Sequence, residues 1–532
     1  MTDADWLLTA DERGNAATGI DAGRDGGEGW SRGNQVRPLI HGATYFRRLL
    51  EELRDCREGD QVYVAAWRGD PAQRLDGPGT AAVVELGRAA SAGVSVYGLV
   101  WRSHLDTVQR QARENKDFVK ILRQLGGHVM VDQRVRKGGS HHQKFVVIRR
   151  PDRPASDVAF VGGIDLSFSR RDDSAHRGDP QPRQMAAAYG ATPAWHDAHL
   201  EIHGPAVTDV EHCFRERWDD PTAVRHLPWL WVRDRVRSRI TGPTRLPRAL
   251  PPPAECGPHA VQLLRTYPDK VIAYPFAPHG ERSVARGYQK ALANARRLIY
   301  VEDQFLWSPL VAEVFARALR DQPRLRMVAV VPTHPDSDGR MAVQASDRAQ
   351  RRALQTLYAA GGDRVDVYSP ENHEGLPVYV HAKVCVIDDV WAAVGSANAN
   401  RRSWTHDSEL TAAVLDQTPD DRNGSRAGGA QRARTFARDL RLELWREHLD
   451  RTDGADDDLV DPDQAVEMVR RAAHALDVWH AAGRTGPRPP GRLRPHLTPA
   501  VAPAARWWAP VAAGLLFDPD GRSPRAIIRH RW

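Results

Sequence analysis

Cysteine is scarce in this sequence, and the few cysteines lie far apart. Among 532 residues there are four, at Cys56, Cys213, Cys256 and Cys385. A disulfide framework or a cysteine-ligated zinc site needs closely spaced cysteines, and this chain has no such pair. The sequence therefore excludes the small disulfide-stabilised class. It predicts a fold held by an apolar core, for which a hydrophobic content of 41% is sufficient.

Long apolar runs are also missing. The longest run near the C-terminus covers 507–517, which is too short to span a bilayer and contains Pro510 and Gly514. Residues 1–6 are acidic and lack the basic and then apolar pattern of a secretory signal. We therefore expect a cytoplasmic protein that contacts membranes only peripherally.

Lysine is nearly absent, although basic residues are not. Only seven of the 75 Lys and Arg residues are Lys, and the net charge is +7. That excess suits anionic partners, but an Arg-rich surface is commonly just solvated. A position that keeps Lys in such a chain is a candidate for a role that needs a compact ammonium group. Two of the seven are Lys144 and Lys383.

Segments with helix and strand patterns alternate along the chain, and their order is repeated. The first half predicts helices at 44–53, 81–92 and 105–125, and strands at 62–67, 94–101, 128–131, 145–148 and 158–161. The second half predicts helices at 282–297, 310–319 and 341–360, and strands at 298–301, 327–331, 365–368, 384–387 and 391–394. This alternation predicts an α/β fold with largely parallel or mixed sheets.

The repeated order divides the chain into two related halves. We predict an irregular N-terminal segment at 1–34, a first lobe at 35–242 and a second lobe at 257–450. The Pro-rich stretch at 243–256 is the predicted linker between the lobes. A helical and Pro-rich extension is predicted at 451–532.

A histidine and a lysine two residues apart enter an apolar strand in the second half. His381 and Lys383 precede a run that ends at Asp388, and Ser396 and Asn398 follow in the next turn. Residues two apart on a strand face the same side, so the imidazole and the ammonium point into one space. Such a pair can combine a nucleophile or acid with a cation that holds a phosphate oxygen.

The first half repeats the pattern with His142 and Lys144, followed by a turn that contains Gly163 and Asp165. A single histidine and lysine at this spacing carries almost no information, because most such pairs are surface accidents. Two copies at matching places in two matching halves are implausible as coincidence. The scarcity of lysine adds independent weight to both.

These motifs resemble the signature of the phospholipase D superfamily, which normally occurs twice in a chain. The second copy is His381-x-Lys383-x4-Asp388 followed by Gly395-Ser396-x-Asn398, and the first begins with His142-x-Lys144. The segments that resemble the phospholipase D enzymes proper are 195–199, 204–206, 299–305, 407–410 and 440–449. The resemblance covers about residues 35 to 450. It implies two similar α/β lobes, mixed sheets flanked by helices, and an active site at the lobe interface.

The first copy departs from the family pattern. Arg149 stands where the family has an aspartate, and an inserted segment at 150–156 moves the candidate acid to Asp157, with Asp152 as the other possibility. We expect this motif acid to be a structural partner rather than a reacting group. The departure therefore leaves the catalytic interpretation in place.

The resemblance implies a phosphohistidine mechanism. His142 would be the nucleophile that attacks the phosphodiester, and His381 would protonate the leaving alcohol and then deprotonate the incoming water or alcohol. Lys144, Lys383 and Asn398 would hold the non-bridging oxygens of the phosphate.

Each histidine also needs a group that fixes its tautomer. Asp197 and Glu409 are the candidates, because each lies downstream of a motif in a segment that resembles the family. Ser396, Gly163 and Asp165 are predicted to line the substrate site.

Metal and cofactor requirements are not indicated. Lysine and asparagine can supply the charge stabilisation, and the sequence shows no His, Asp and Glu cluster with metal-ligand spacing. His141 is expected to face away from the site, while His196 and His199 are expected to make structural hydrogen bonds. Glu302 and Asp303 are expected either to line the pocket or to serve packing and capping.

The predicted function is the hydrolysis or transphosphatidylation of phospholipid head groups. The expected partners are a phospholipid at a membrane surface and a water or alcohol acceptor, with neither a stable nucleic-acid partner nor an obligate protein partner. Three alternatives stay open: a nuclease of the same superfamily, a phosphatidyltransferase of the cardiolipin-synthase type, and a non-catalytic membrane-binding protein. The last would use Trp507, Trp508 and Trp532 if they were exposed.

Overall fold

The computed structural model describes residues 2–104, 110–222, 244–336, 340–422, 432–451, 454, 456–497, 518–528 and 532. The strands of the first half are β1 (Ser31–Ile40), β2 (Gln61–Ala66), β3 (Ser95–Trp101), β4 (His128–Asp132), β5 (Phe145–Arg149), β6 (Val158–Gly162), β7 (Ala194–His196) and β8 (Ala198–His203). Its helices are α1 (Asp3–Trp6), α2 (Ala10–Arg13), α3 (Gly42–Asp55), α4 (Ala82–Ser91), α5 (Arg110–Gln124) and α6 (Ala206–Trp218).

The second half follows the same order. Its strands are β9 (His259–Tyr267), β10 (Glu281–Arg282), β11 (Leu298–Asp303), β12 (Arg326–Val330), β13 (Val365–Pro370), β14 (Val378–Val380), β15 (Lys383–Ile387), β16 (Trp391–Gly395), β17 (Glu409–Asp416) and β18 (Leu493–Pro495). The helices are α7 (Ser283–Asn294), α8 (Pro309–Asp321), α9 (Arg340–Gly361), α10 (Arg401–Thr405), α11 (Thr435–His448), α12 (Asp457–Val460), α13 (Pro462–Ala481) and α14 (Pro524–Ile528).

One mixed sheet of 16 strands runs through both halves and is flanked by helices, as the predicted α/β class requires. Its order is β18-β13-β12-β11-β15-β16-β17-β9-β1-β8-β6-β5-β2-β3-β4, with β10 beside β9. Read outward from the centre, the order β1-β8-β6-β5-β2-β3-β4 matches β9-β17-β16-β15-β11-β12-β13. The halves are therefore two copies of one topology, with parallel outer strands and antiparallel inner strands.

The two copies share their central backbone pairing. Strands β1 and β9 run antiparallel, with Ser31 opposite Val261 and Asn34 opposite His259. The Asn34 amide also donates to the carbonyl of His259 at 3.1 Å. The predicted lobes are thus joined edge to edge into a single sheet, a feature that the repeated sequence pattern did not reveal.

The apolar core is continuous across the two halves on one face of the sheet and divided into two clusters, one for each half, on the other face. On one face, α6 and α11 pack on strands of both halves and form one continuous cluster that includes Val210 and Leu440. On the opposite face, α3 to α5 cover the first half, and α7 to α9 cover the second. Helix α3 shows why: Phe46, Leu49 and Leu53 recur at helical spacing and are all buried.

The N-terminal segment, predicted as irregular, contains two one-turn helices, and the sheet already begins within it at Ser31. Trp6, Leu7 and Leu8 are buried against the second half. Helix α2 starts with a capping box in which Thr9 and Glu12 bond each other's backbone amides. Helices of one turn are too short for a periodic signal, which is why the pattern missed them.

The C-terminal extension adds helices α12 and α13 and the edge strand β18, which pairs with β13. Among the described residues, no helix combines the length and the apolarity that crossing a bilayer requires. The apolar run at 507–517, with Trp507 and Trp508, lies outside the described residues. Trp532 packs edge-on against Trp404 at 5.3 Å, so it contributes to packing.

Candidate active site

The two His-x-Lys motifs occupy matching positions in the two halves, at the start of β5 and of β15. Both strands lie inside the sheet, so Lys144 and Lys383 are almost completely buried, at 1% and 2% exposure. The side chains of His142 and His381 keep a little more exposure, at 12% and 6%.

Each motif is held by the opposite half of the chain. Strand β14, just before His381, pairs in parallel with β7 of the first half, and the His381 amide donates to the His196 carbonyl at 2.7 Å. In the matching place, His141 bridges to Ser408, and the His142 amide donates to the Ser408 carbonyl at 2.8 Å. This crossed pairing brings a carboxylate of each half to the histidine of the other.

The carboxylates are the two predicted from the sequence. His381 Nδ1 lies 2.7 Å from Asp197 Oδ2, and His142 Nδ1 lies 3.0 and 3.1 Å from the two oxygens of Glu409. Asp197 is ionised and can only accept, and an oxygen of the Glu409 carboxyl can accept as well, so the hydrogen of each ring is assigned to Nδ1. The Nε2 atom of each ring is then left with a lone pair for chemistry at the site.

The two lysines are oriented by neighbouring oxygens. Lys144 Nζ donates to the His142 carbonyl at 2.8 Å and lies 3.4 Å from Asp165 Oδ2. Lys383 Nζ donates to Gln304 Oε1 at 3.1 Å and to the carbonyl of His381. Each ammonium group is thereby fixed beside the histidine of its own motif.

Charges from both halves act on the same groups. Burial, assisted by Lys144 and Lys383, holds the pKa of His142 well below its usual value. Burial, assisted by Lys383, does the same to the pKa of His381. Burial also lowers the pKa of Lys383 to about 7, and the Lys144 charge of the other half adds to the effect. The motifs therefore form one electrostatic site in which both imidazoles are neutral before an anion binds.

The two carboxylates differ in charge state. Burial and the nearby Asp407 together raise the pKa of Glu409 to about 8. Burial also acts to raise the pKa of Asp197, but His381 and Lys383 hold it well below its usual range. Asp197 is thus the firmer anion and stabilises a positive charge on His381 more strongly than Glu409 does on His142.

Of the four predicted substrate-lining residues, three contact other groups of the protein. Ser396 Oγ donates to Glu409 at 2.5 Å, and Asp165 Oδ1 accepts the amides of Trp67 and Arg68, so both position other groups. Gly163 packs on Asp197 so closely that a Cβ there would overlap Oδ1.

Asn398 is the member of the predicted substrate-lining set that keeps hydrogen-bonding capacity for a ligand. It is buried, at 3% exposure. Its Oδ1 has no hydrogen-bond partner within the described part of the chain. This oxygen can accept a hydrogen bond from a bound substrate.

The motif aspartates do not reach the site. Asp388, predicted as catalytic, lies beyond the far end of β15 and accepts the amides of Arg296, Arg297 and Leu298 at 2.7–2.9 Å. It closes the turn before β11, at the opposite end of β15 from Lys383, with the four strand residues 384–387 between them. In the first half, buried Asp157 bonds Arg149 at 2.8 Å, while Asp152 is exposed. Of the two candidates, Asp157 is therefore the structural partner. It bonds an arginine side chain, whereas Asp388 accepts three backbone amides.

Aromatic neighbours of the histidines were not predicted from the sequence. The Trp67 ring lies edge-on to His142 at 5.5 Å and beneath the Lys144 ammonium at 5.5 Å. The Trp195 ring lies 4.9 Å from His381. A tryptophan in a chain with 16 of them carries no positional signal, so only the fold could place these two.

The other histidines near the motifs serve structure. His141 turns away from the site and bonds Ser408 Oγ at 2.6 Å, as the strand alternation predicts. His199 stacks on Tyr45 at 4.0 Å and accepts the Ile164 amide at 3.4 Å.

Of the two residues expected either to line the pocket or to serve packing and capping, Asp303 serves capping. Asp303 caps backbone amides of Phe305, Leu306 and Ala399. Glu302 instead joins His196 and His448, at 2.6 and 2.8 Å.

Buried histidines and glutamates also cluster where the sequence indicated no metal-ligand spacing. Two groups have ligand atoms close enough to hold an ion: His41, His176, His196 and Glu447, and His196, Glu302 and His448. Their members are up to four hundred positions apart, so no local spacing could have disclosed them. These groups are formed by the fold, and the expectation that no metal is needed stays a prediction.

Comparison with known families supports the paired motifs. The family model described as "Phospholipase D" matches residues 90–310, and the one described as "Cardiolipin synthase, PLD-like domain" matches residues 292–421. Together they cover both histidine motifs.

Curated relatives resemble most of the chain. Phospholipase D alpha 1 of Brassica oleracea var. capitata is 26% identical over 83% of this chain and 68% of its own length. Phospholipase D alpha 1 of Arabidopsis thaliana is 26% identical over 82% of this chain and 68% of its own length. Among solved structures, phosphatidylserine synthase of Haemophilus influenzae shares 14% identity at a TM-score of 0.50, covering 72% of this chain and 82% of its own. At that identity the likeness shows the fold alone.

Proposed function

This chain belongs to the phospholipase D superfamily, and we propose that it cleaves the head-group ester of phospholipids through a phosphohistidine. The observation that carries the proposal is the pair of crossed contacts, His142 with Glu409 and His381 with Asp197. Each contact joins the two halves, so the complete chain builds one site with two activated imidazoles.

The first step forms the covalent intermediate. His142 Nε2 donates its lone pair to phosphorus, a nitrogen–phosphorus bond forms, and the bond from phosphorus to the head-group oxygen breaks. His381 gives the proton on its Nε2 to that oxygen, and the head-group alcohol leaves. Binding of the anionic phosphate favours the protonated form of His381, whose Nε2 takes this proton from solvent before the step, and the firm negative charge of Asp197 supports the resulting imidazolium.

The second step regenerates the protein. His381 Nε2 takes a proton from water or an alcohol, whose oxygen attacks phosphorus while the nitrogen–phosphorus bond breaks. Water yields a phosphatidic acid, and an alcohol yields a new phosphodiester. The neutral ring of His142 is restored with its hydrogen on Nδ1, where Glu409 accepts it.

Negative charge on the non-bridging oxygens is met by Lys144 and Lys383. Both ammonium groups are oriented before the substrate arrives and are buried, where electrostatic interactions are stronger than in water. Binding of the phosphate raises their pKa values again, because an anion favours the ammonium form. Asn398 adds a hydrogen bond from its buried amide.

Phospholipid is the substrate class that the sequence relatives favour, since those named above are phospholipases D. The same pair of imidazoles could serve transfer to an alcohol or cleavage of nucleic acid. The substrate class and the acceptor are therefore the variables of the test.

The test compares three reactions of the purified chain. Phosphatidylcholine vesicles are supplied alone, phosphatidylcholine vesicles are supplied with a primary alcohol, and single-stranded DNA is supplied separately. We expect choline release in both vesicle reactions and a transferred lipid when alcohol is present. Cleavage of DNA without choline release would overturn the lipid assignment.

Two variants test the shared site. His142→Ala and His381→Ala should each lower choline release by at least about 10³-fold, because each removes a reacting group. His212→Ala, which alters a partly exposed histidine paired with Glu216, is the matched control and should retain activity. Near-normal rates in either motif variant would contradict the mechanism. Acid-labile, base-stable phosphate on the quenched protein, lost in His142→Ala, would identify the nucleophile.

A further inference from the structure

Four side chains from distant parts of the chain converge beside the active site but take no part in the proposed chemistry. His41, His176 and His196 are buried, and each presents a ring nitrogen to the carboxylate of Glu447. The distances are 2.5 Å from His41 Nε2, 2.9 Å from His176 Nε2 and 3.3 Å from His196 Nδ1. All four ligand atoms lie within 4.8 Å of one another.

The three rings surround one point. Their centroids are 4.9 Å apart for His41 and His176, 5.1 Å for His41 and His196, and 5.6 Å for His176 and His196. The first two pairs are edge-on, at interplanar angles of 84° and 72°. Zinc–nitrogen bonds of about 2.0–2.1 Å put ring centroids about 5.2 Å apart in a tetrahedral site. The three observed centroid distances, 4.9, 5.1 and 5.6 Å, lie on both sides of that value.

Two of the rings are held from behind by carboxylates. His196 Nε2 lies 2.6 Å from Glu302, and His176 Nδ1 lies 3.4 Å from Asp172. A hydrogen given to an outer carboxylate leaves the inner nitrogen with a lone pair, which is the arrangement found behind metal-bound histidines. His196 Nδ1 is buried and makes no hydrogen bond, although it faces an oxygen of Glu447. Two electron-rich atoms that face each other in this way favour a cation between them.

We propose that His41, His176, His196 and Glu447 bind a divalent metal ion of the zinc type in a structural site. Three imidazoles and one carboxylate fill the four positions that zinc prefers, so no position is left for a substrate. Nitrogen donors disfavour calcium and magnesium, which take oxygen ligands. This site is separate from the proposed phosphodiester chemistry and does not depend on it.

The ion would fix the position of the backbone next to the active site. His196 precedes Asp197, and its carbonyl accepts the amides of His381 and Ala382 at 2.7 and 3.1 Å. The amide of His41 donates to the Asp197 carbonyl at 2.8 Å. Fixing these two histidines therefore fixes the backbone on which the pair of Asp197 and His381 is built.

The test measures metal directly. The full-length chain is produced with zinc in the medium, and its metal content is determined by mass spectrometry. After chelation it is loaded with Co²⁺, whose visible bands are intense when four ligands surround it tetrahedrally. We expect one zinc per chain, tetrahedral cobalt bands, and a melting temperature that falls on chelation and recovers when zinc is added.

Variants locate the ion. His176→Ala should lower zinc content by at least about tenfold. His448→Gln should keep it, because the His448 ring bonds Glu302 and packs against His196 at 5.4 Å but is not one of the four proposed ligands. A wild-type chain with neither bound zinc nor cobalt bands would overturn the proposal. So would zinc that persists in His176→Ala and is lost in His448→Gln. All these readouts are independent of phosphodiesterase activity.

Discussion

The role of Asp197 gives the sharpest test of the division of labour between the histidines. Its Oδ2 lies 2.7 Å from His381 Nδ1, and its Oδ1 accepts the Ala198 amide at 2.9 Å. Trp195 Nε1 also donates to Oδ2, at 3.3 Å, so Asp197→Asn keeps the shape but has one oxygen for three donors. The amide nitrogen must therefore face either His381 or the Ala198 amide, and the negative charge is lost.

The size of the effect follows from the lost charge. Opposite charges about 4 Å apart attract by about 4 kcal/mol at an effective dielectric constant of about 20. Each 1.36 kcal/mol is about tenfold in rate, so losing support for the His381 imidazolium should slow the first step about 10³-fold. The loss applies only where the leaving oxygen needs a proton.

The assay therefore compares two leaving groups in a single turnover. Phosphatidylcholine releases an alkyl alcohol that must be protonated, whereas phosphatidyl-p-nitrophenol releases a phenolate that is stable without a proton. For Asp197→Asn we expect the full loss with choline and less than about a tenfold loss with p-nitrophenolate. His142→Ala should abolish both, because the nucleophile is needed for either.

Asp416→Asn is the matched control. It alters another contact between a histidine and a carboxylate, His259 Nε2 with Asp416 Oδ2 at 3.5 Å, away from the site. It should leave both rates unchanged. Equal losses with the two leaving groups in Asp197→Asn, or a near-normal rate of choline release, would refute the assignment of His381 as the acid.

Three further predictions concern neighbouring groups. Glu409→Gln should lower the rate about ten- to hundredfold in both leaving-group assays, which is a smaller loss than that of Asp197→Asn with choline, because a carboxyl with a pKa of about 8 is already largely neutral at pH 7. Burial lowers the pKa of Lys383 to about 7, so its ammonium form is lost as pH rises and kcat/KM should fall above about pH 7. With phosphate bound the pKa is higher, so kcat should fall only at higher pH. A fall of kcat and kcat/KM at the same pH would contradict this. Gly163→Ala should displace Asp197 and lower the rate about 10²-fold with little change in melting temperature, whereas Gly77→Ala, with open space around its Cβ position, should change neither.

The order of elements and the matching positions of the two motifs could be predicted from the sequence because both leave local signals. The apolar runs that predict β5 and β15 are buried on both faces, and such strands read as continuous apolar segments. The alternation beside them placed His141 away from the site. The contacts of Asp197 and Glu409 followed from the family resemblance and not from spacing.

What the sequence could not supply was pairing between distant segments. Strands β7 and β14 have three residues each, too few for any periodic signal, yet they set the position of His381. Asp388 illustrates the opposite error: its place in the motif suggested chemistry, whereas its hydrogen bonds are all to backbone amides. His41 and Glu447 meet only because β1 and α11 come together in the fold.

The main-chain hydrogen bonds between the two halves determine how a substrate can enter. Strands β1 and β9 pair the two halves at the centre of the sheet. Beside His381 the halves pair through β7 and β14, and beside His142 they pair through the bridge between His141 and Ser408. A hinge motion that separates the halves would have to break all of these hydrogen bonds at once and leave buried peptide groups without partners. Opening of the two halves relative to each other is therefore disfavoured, and substrate selectivity should depend on the side chains around the site.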